Sequence, residues 1–117
     1  MLPFAPTQLP LMPPPIVART ITGNGLGTDH GWGGHYPLIG GGILGGQVLG
    51  EYWPDMSDNF ALSLGRGRII PTLPWDAQWH AIAQWMGVVD HKLVEVLPNL
   101  HSFAAHQLIN RTQLFSN

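Results

Sequence analysis

Residues 23–50 read GNGLGTDHGWGGHYPLIGGGILGGQVLG and hold most of the chain's glycines. Glycine reaches backbone angles that other residues avoid, and it lets neighbouring loops approach closely. Short apolar runs at residues 36–39 and 47–49 predict two strands, which residues 40–46 would join as a hairpin. The interposed Trp32 favours a specific loop over a flexible spacer. A Gly-rich loop region with short strands is therefore predicted over this stretch.

The segments on either side of this stretch predict further short strands. Residues 16–21 read IVARTI, a β-branched run that is typical of a strand. Downstream, GRGR at residues 65–68 precedes Ile69 and Ile70. This order predicts a turn that leads into one more short strand.

The last third of the chain changes to a helical period. A helix is predicted over residues 75–86, because Trp79, Ile82 and Met86 fall on one helical stripe. A second short helix is predicted over residues 90–97. The predicted fold class is thus an α+β or α/β fragment, with short strands and a Gly-rich loop region followed by two C-terminal helices.

Residues 1–15, MLPFAPTQLPLMPPP, are dominated by proline. Proline fixes one backbone angle and lacks an amide donor, so this lead-in is predicted to be extended or disordered. A polyproline ligand for an aromatic groove is the alternative. The lead-in lacks a basic region and a cleavage site, which argues against a signal peptide. No run of about 20 apolar residues predicts a membrane span.

The composition bounds the classes of partner. Only 10% of the residues are charged, against about 25% in an average soluble domain. This shortage predicts that part of the surface lies against another protein. Five Lys and Arg with a net charge of −2 disfavour nucleic-acid binding, which needs a basic stripe. Because the chain has no cysteine, a transition metal would need imidazole and carboxylate ligands.

The sequence TDHGWGGH at residues 28–35 is the candidate metal segment. Asp29, His30 and His35 supply the carboxylate and imidazole ligands that suit zinc or manganese, and carboxylate oxygens also suit calcium. Gly31 would let the chain turn so that the side chains of Asp29 and His30 both reach one ion. In the alternative reading, Asp29 bonds backbone amides and the histidines face solvent.

Arg66 and Arg68 are the candidate substrate-binding residues. Guanidinium groups bind phosphate and sulfate oxygens through paired hydrogen bonds, so two arginines in one turn could clamp an ester of either acid. The alternative is that both side chains are merely solvated turn residues.

Together these motifs resemble a known family. The resemblance is carried by Arg19-Thr20, Asn24-Gly25, residues 28–35, Gly45-Gly46-Gln47, residues 65–72, residues 85–88 and residues 97–100. In this order they resemble the C-terminal portion of the bacterial family called domain of unknown function fifteen-oh-one. That family is a sulfatase-like branch of the alkaline phosphatase superfamily. The resemblance covers about residues 19–103. The predicted sulfatase-like part is accordingly 16–103, and residues 104–117 are predicted to be a tail.

The resemblance implies chemistry. It makes Asp29 and His30 ligands of a divalent cation (zinc, manganese or calcium), with His35 a weaker candidate. Members of the family place the nucleophile and the first aspartate ligands in an N-terminal part that this chain lacks, and they are often exported, although the compartment of this chain stays open.

The predicted function is accordingly a C-terminal fragment of a metal-dependent phosphate or sulfate ester hydrolase, inactive alone. Its expected partner is the missing N-terminal half or another protein subunit. The alternative is a non-enzymatic subunit that retains the scaffold and binds a protein partner.

Overall fold

The structure, a computed structural model, describes residues 18–116. The proline-rich lead-in at 1–15 and the first two residues of the predicted strand at 16–21 lie outside the described residues. The chain forms two compact units. The helical unit combines Leu38–Leu49 with residues 73–116, and the loop unit combines residues 18–37 with Gly50–Thr72.

The predicted strands are absent from residues 18–116, so the α+β or α/β fold class is wrong. Extended segments meet only at isolated antiparallel bridges, which are Arg19 with His30, Ile43 with Phe115, and Ser63 with Ile69. A ladder needs several consecutive pairs. The turn residues and glycines that follow each bridge redirect the chain before a second pair can form.

The predicted hairpin of residues 36–39 and 47–49 is likewise absent from the described part of the chain. The glycine segment between them pairs with the C-terminal residues instead. The amide of Leu44 donates to the carbonyl of Leu114 at 2.9 Å, and the amide of Ser116 donates to the carbonyl of Gly42 at 3.0 Å. The glycine segment, which was predicted to form a local hairpin, therefore makes long-range contacts instead.

The helix predicted over residues 75–86 is present as α1, Asp76–Trp85. It ends where glycine permits a left-handed residue: Gly87 has φ of 92°. The amide of Gly87 donates to the carbonyl of Gln84 at 3.1 Å, and the amide of Val88 donates to the carbonyl of Ala83 at 3.0 Å. This pair of bonds is the Schellman arrangement, which satisfies the carbonyls at the end of a helix.

The buried face of α1 differs from the predicted stripe. The residues of α1 that are buried are Ala77, Gln78, Ala81 and Ile82. Ile82 points inward as expected, but Met86 lies just beyond the helix and is 60% exposed. The small side chains at Ala77 and Ala81 allow close packing against α3 (Arg111–Leu114). The size of the side chains therefore determines which face of α1 is buried as much as their hydrophobicity does.

The remaining helical segments are short. The second predicted helix occurs as a 3₁₀ turn at Asp90–Lys92 that continues into α2, Leu93–Val96. Further 3₁₀ turns at Leu100–Ser102 and Ala105–Gln107 lead to α3. Within residues 18–116, none of the helices is long and apolar enough to cross a membrane.

Polar side chains tie α1 to the C-terminal segment. His80 Nδ1 lies 2.7 Å from the carbonyl oxygen of Ile109. Gln84 accepts from the amide of Arg111 at 2.8 Å through Oε1 and donates to Asp90 at 2.9 Å through Nε2. The ring of Trp85 stacks on Phe115 with ring centroids 4.7 Å apart. The C-terminal segment is thus part of the core of the helical unit.

We expect Ile82→Asp to destabilise the helical unit by more than about 3 kcal/mol, because it removes a buried apolar side chain and buries a charge. Met86→Asp is the matched control, and its exposed position predicts a change within about 0.5 kcal/mol. Denaturant unfolding followed by tryptophan fluorescence measures both. Equal effects of the two variants would contradict the assignment of the inward face.

Candidate functional site

A pocket in the loop unit collects the candidate site residues. Its volume is about 520 Å³, and it is lined by Arg19, Thr20, Thr28, Asp29, His30, Arg66 and Arg68. Three of the lining residues are arginines and one is an aspartate, so the lining carries a net positive charge. A pocket of this charge favours anionic ligands.

The segment at residues 18–22 holds one wall of the pocket. The amide of Thr20 donates to the carbonyl of Asp29 at 3.1 Å, and the amide of Asp29 donates to the Thr20 hydroxyl at 3.1 Å. The amide of Gly31 donates to the carbonyl of Ala18. Thr20 is 4% exposed, so water competes little for these bonds. They fix the backbone that carries Asp29 and His30.

The turn at residues 65–68 forms the opposite wall. Gly65, Arg66 and Gly67 have φ of 81°, 58° and 68°. Three successive left-handed residues explain why glycine flanks Arg66, since side chains at such angles are strained. The amide of Ile21 donates to the carbonyl of Gly67 at 3.1 Å. The turn predicted for GRGR is therefore present, and it carries Arg66 and Arg68 to the pocket.

The carboxylate of Asp29 is engaged from two sides. Its Oδ2 lies 2.6 Å from Arg66 NH2, and its Oδ1 accepts a hydrogen bond from Asn24 Nδ2 at 3.0 Å. The Asp29 and Arg66 side chains are 43% and 53% exposed. An ion pair this exposed contributes at most about 1 kcal/mol.

The other two arginines donate to neutral carbonyls. Arg19 NH1 donates to the carbonyl of Thr28 at 3.1 Å. Arg68 NH2 donates to the carbonyl of Leu64 at 2.7 Å, and its Nε donates to the carbonyl of Gly65 at 3.3 Å. These bonds orient the guanidinium groups without neutralising them. A guanidinium has five N–H donors, so each keeps the capacity to bind an anion.

The three predicted metal ligands are not brought together. Asp29 and His30 line the same pocket, whereas His35 stacks on Tyr52 with ring centroids 5.0 Å apart and lies 5.2 Å from the ring of Trp53. In the described range, no group of three His, Cys, Asp or Glu side chains could hold a metal ion. The pocket therefore brings together two of the three predicted ligands, Asp29 and His30, and Asp29 is paired with Arg66.

Arg19 is the site residue that spacing could not reveal. Arg66 and Arg68 were predicted as substrate-binding residues, and both line the pocket. Arg19 lies far from them in sequence and reaches the pocket because it forms a bridge with His30. Only its place in the motif order resembling the family pointed to it.

No family model, curated protein or solved structure matches the chain. The resemblance to the sulfatase-like family therefore rests on the motifs quoted above, and it stays a prediction.

The close contact of the turn with residue 21 generates a stability prediction. A Cβ on Gly67 would lie 2.6 Å from the Ile21 Cβ and 2.8 Å from its amide nitrogen, whereas a Cβ on Gly65 meets nothing within 4 Å. Both substitutions to alanine incur left-handed strain of about 1 kcal/mol. We expect Gly67→Ala to cost at least about twice as much as Gly65→Ala, because Ile21 must also move.

Hydrogen exchange of the Ile21 amide measures this difference locally, since that amide donates to Gly67. Exchange should accelerate strongly in Gly67→Ala and much less in Gly65→Ala. Equal protection in the two variants would argue against the close approach.

Proposed function

We propose that this chain is the C-terminal part of a sulfatase-like ester hydrolase domain and that its arginine pocket binds the oxyanion of a phosphate or sulfate ester. The observation that supports the proposal is the convergence of Arg19, Arg66 and Arg68 on the pocket that Asp29 and His30 also line. The motif order that resembles the family also supports it.

The chemistry of the lining suits a tetrahedral oxyanion. Guanidinium groups present planar pairs of donors that match phosphate and sulfate oxygens, and they stay protonated at any physiological pH. Arg19 and Arg68 are held by backbone carbonyls, and Arg66 is held by Asp29. The Arg19 and Arg68 donors are therefore oriented before the ligand arrives, which lowers the entropy lost on binding.

Ester cleavage needs more than donors for the oxyanion. A hydrolase of this class uses a nucleophile, a metal held by at least three ligands, and donors that stabilise the developing charge. The Thr20 hydroxyl is engaged with the carbonyl of Thr22 at 3.0 Å and with the Asp29 amide at 3.1 Å. We propose that the chain supplies oxyanion donors and at most two metal ligands, Asp29 and His30. A complementary protein segment would supply the remaining ligands of a zinc, manganese or calcium ion.

We expect inorganic phosphate and sulfate to bind weakly to the isolated chain. Arg19→Gln and Arg68→Gln should each weaken binding roughly fivefold, the magnitude of one exposed charge contact, and higher ionic strength should weaken it further. Two-dimensional NMR titration gives the dissociation constants. Arg111→Gln, in the helical unit, is the matched control, and equal weakening by it would contradict a specific pocket.

We expect no hydrolysis of aryl phosphates or aryl sulfates above the background rate of added zinc, manganese or calcium. The chromogenic assay is run beside the Asp29→Ala, His30→Ala double variant. Metal-dependent turnover that disappears in the double variant would show that the chain is a complete enzyme, contrary to the proposal.

A protein-binding module is the second candidate, and exposed apolar side chains of the helical unit favour it. Met86, Val89, Val94 and Val96 are each at least half exposed. Together with the low charge content, this surface suits contact with another protein. Light scattering tests this candidate, because a clean monomer at high concentration weakens the protein-binding interpretation.

A further inference from the structure

The pocket already contains an anion of its own. The Asp29 carboxylate lies 2.6 Å from Arg66 NH2, and both residues line the pocket. A carboxylate offers the arginine the same kind of charged oxygen acceptor that a phosphate or sulfate would offer. Arg66 therefore already has a charged partner, whereas Arg19 and Arg68 donate to neutral carbonyl oxygens.

The contact is weak enough to exchange. The Asp29 and Arg66 side chains are 43% and 53% exposed, and solvent screens a pair of this kind. A dianionic phosphate carries more charge and more acceptor oxygens than a carboxylate. It also offers acceptor oxygens to more than one guanidinium group, whereas the ion pair of Asp29 is with Arg66.

The backbone on both sides of the contact is fixed. Asp29 is held by two hydrogen bonds with Thr20, each of 3.1 Å. The carbonyl of Arg66 accepts from the amide of Thr22 at 3.4 Å, and the next residue, Gly67, packs against Ile21. Exchange therefore involves the Arg66 and Asp29 side chains and leaves the backbone in place.

We propose that Asp29 is a built-in competitor for Arg66, which a bound oxyanion must displace. This inference rests on the proposed function, because it concerns the affinity of the same pocket. It assigns Asp29 a regulatory role: the aspartate keeps Arg66 in place before binding and lowers the affinity for weakly charged anions. Ligands that bring a double negative charge overcome the competition most readily.

Asp29→Asn tests the proposal, because asparagine has the same shape and keeps an oxygen acceptor for Asn24. We expect this variant to bind inorganic phosphate roughly two- to fivefold more tightly than the unchanged chain, the range of one exposed ion pair. Asp55→Asn is the matched control. Asp55 belongs to the loop unit and accepts hydrogen bonds from Ser57, but it does not line the pocket. The affinity of the Asp55→Asn variant for phosphate should therefore be unchanged.

A double-mutant cycle separates competition from simple repulsion between Asp29 and phosphate. In an Arg66→Gln background there is no guanidinium to compete for, so the gain from Asp29→Asn should vanish. The Arg66 Nε–Hε signal should also shift on phosphate addition in the unchanged chain.

Three outcomes overturn the inference, and they are distinguishable. A gain of equal size in the Arg66→Gln background shows that Asp29 acts by repulsion alone. If the original chain binds phosphate and Asp29→Asn binds it equally or more weakly, Asp29 is not a competitor, and the proposed function stays intact. Absence of phosphate binding in both the unchanged chain and Asp29→Asn overturns the proposed function together with the inference.

Discussion

The hydrogen bonding of residues 18–22 on both sides is the constraint on which the loop unit depends. On one side this segment bonds to residues 29–31, and on the other it bonds to Arg66 and Gly67. Two loops that are distant in sequence are thereby held against one extended stretch. Because each interaction involves the backbone, the arrangement tolerates exposed side chains around it and needs little apolar burial. The charged pocket follows from this arrangement, because the two loops that the backbone hydrogen bonds hold in place form its walls.

The sequence predicted elements whose signals are local, and it failed where partners are distant. Helix α1 follows from its own period and from Gly87, and the GRGR turn follows from its glycines. The prediction of strands was wrong because a β-branched or apolar run indicates an extended conformation. It does not indicate which segment pairs with the run or over how many residues. Ile43 illustrates the difference: its partner is Phe115 rather than a neighbour across the glycines. No pattern within ten residues of Ile43 carries that information.

The candidate site shows the same division. Asp29 and His30 are adjacent, so their common pocket could be anticipated from Gly31 and the local turn. His35 is close in sequence, but it lies against the aromatic rings of Tyr52 and Trp53, which arrive from a later segment. Arg19 joins the pocket through a bridge that composition cannot predict. The charge of the pocket is therefore a tertiary property, although each arginine is visible in the sequence.

The pairing of the glycine segment with the C-terminal residues has a consequence for the order of folding. Leu44 bonds to Leu114, and Ser116 bonds to Gly42, so these contacts close a long loop of chain. Contacts of such high sequence separation form late, because the entropy of loop closure must be overcome first. During synthesis, α1 leaves the ribosome well before residues 114–116 do, and its buried face has no complete partner in that interval. The helical unit consequently completes its core only after this segment has been synthesised.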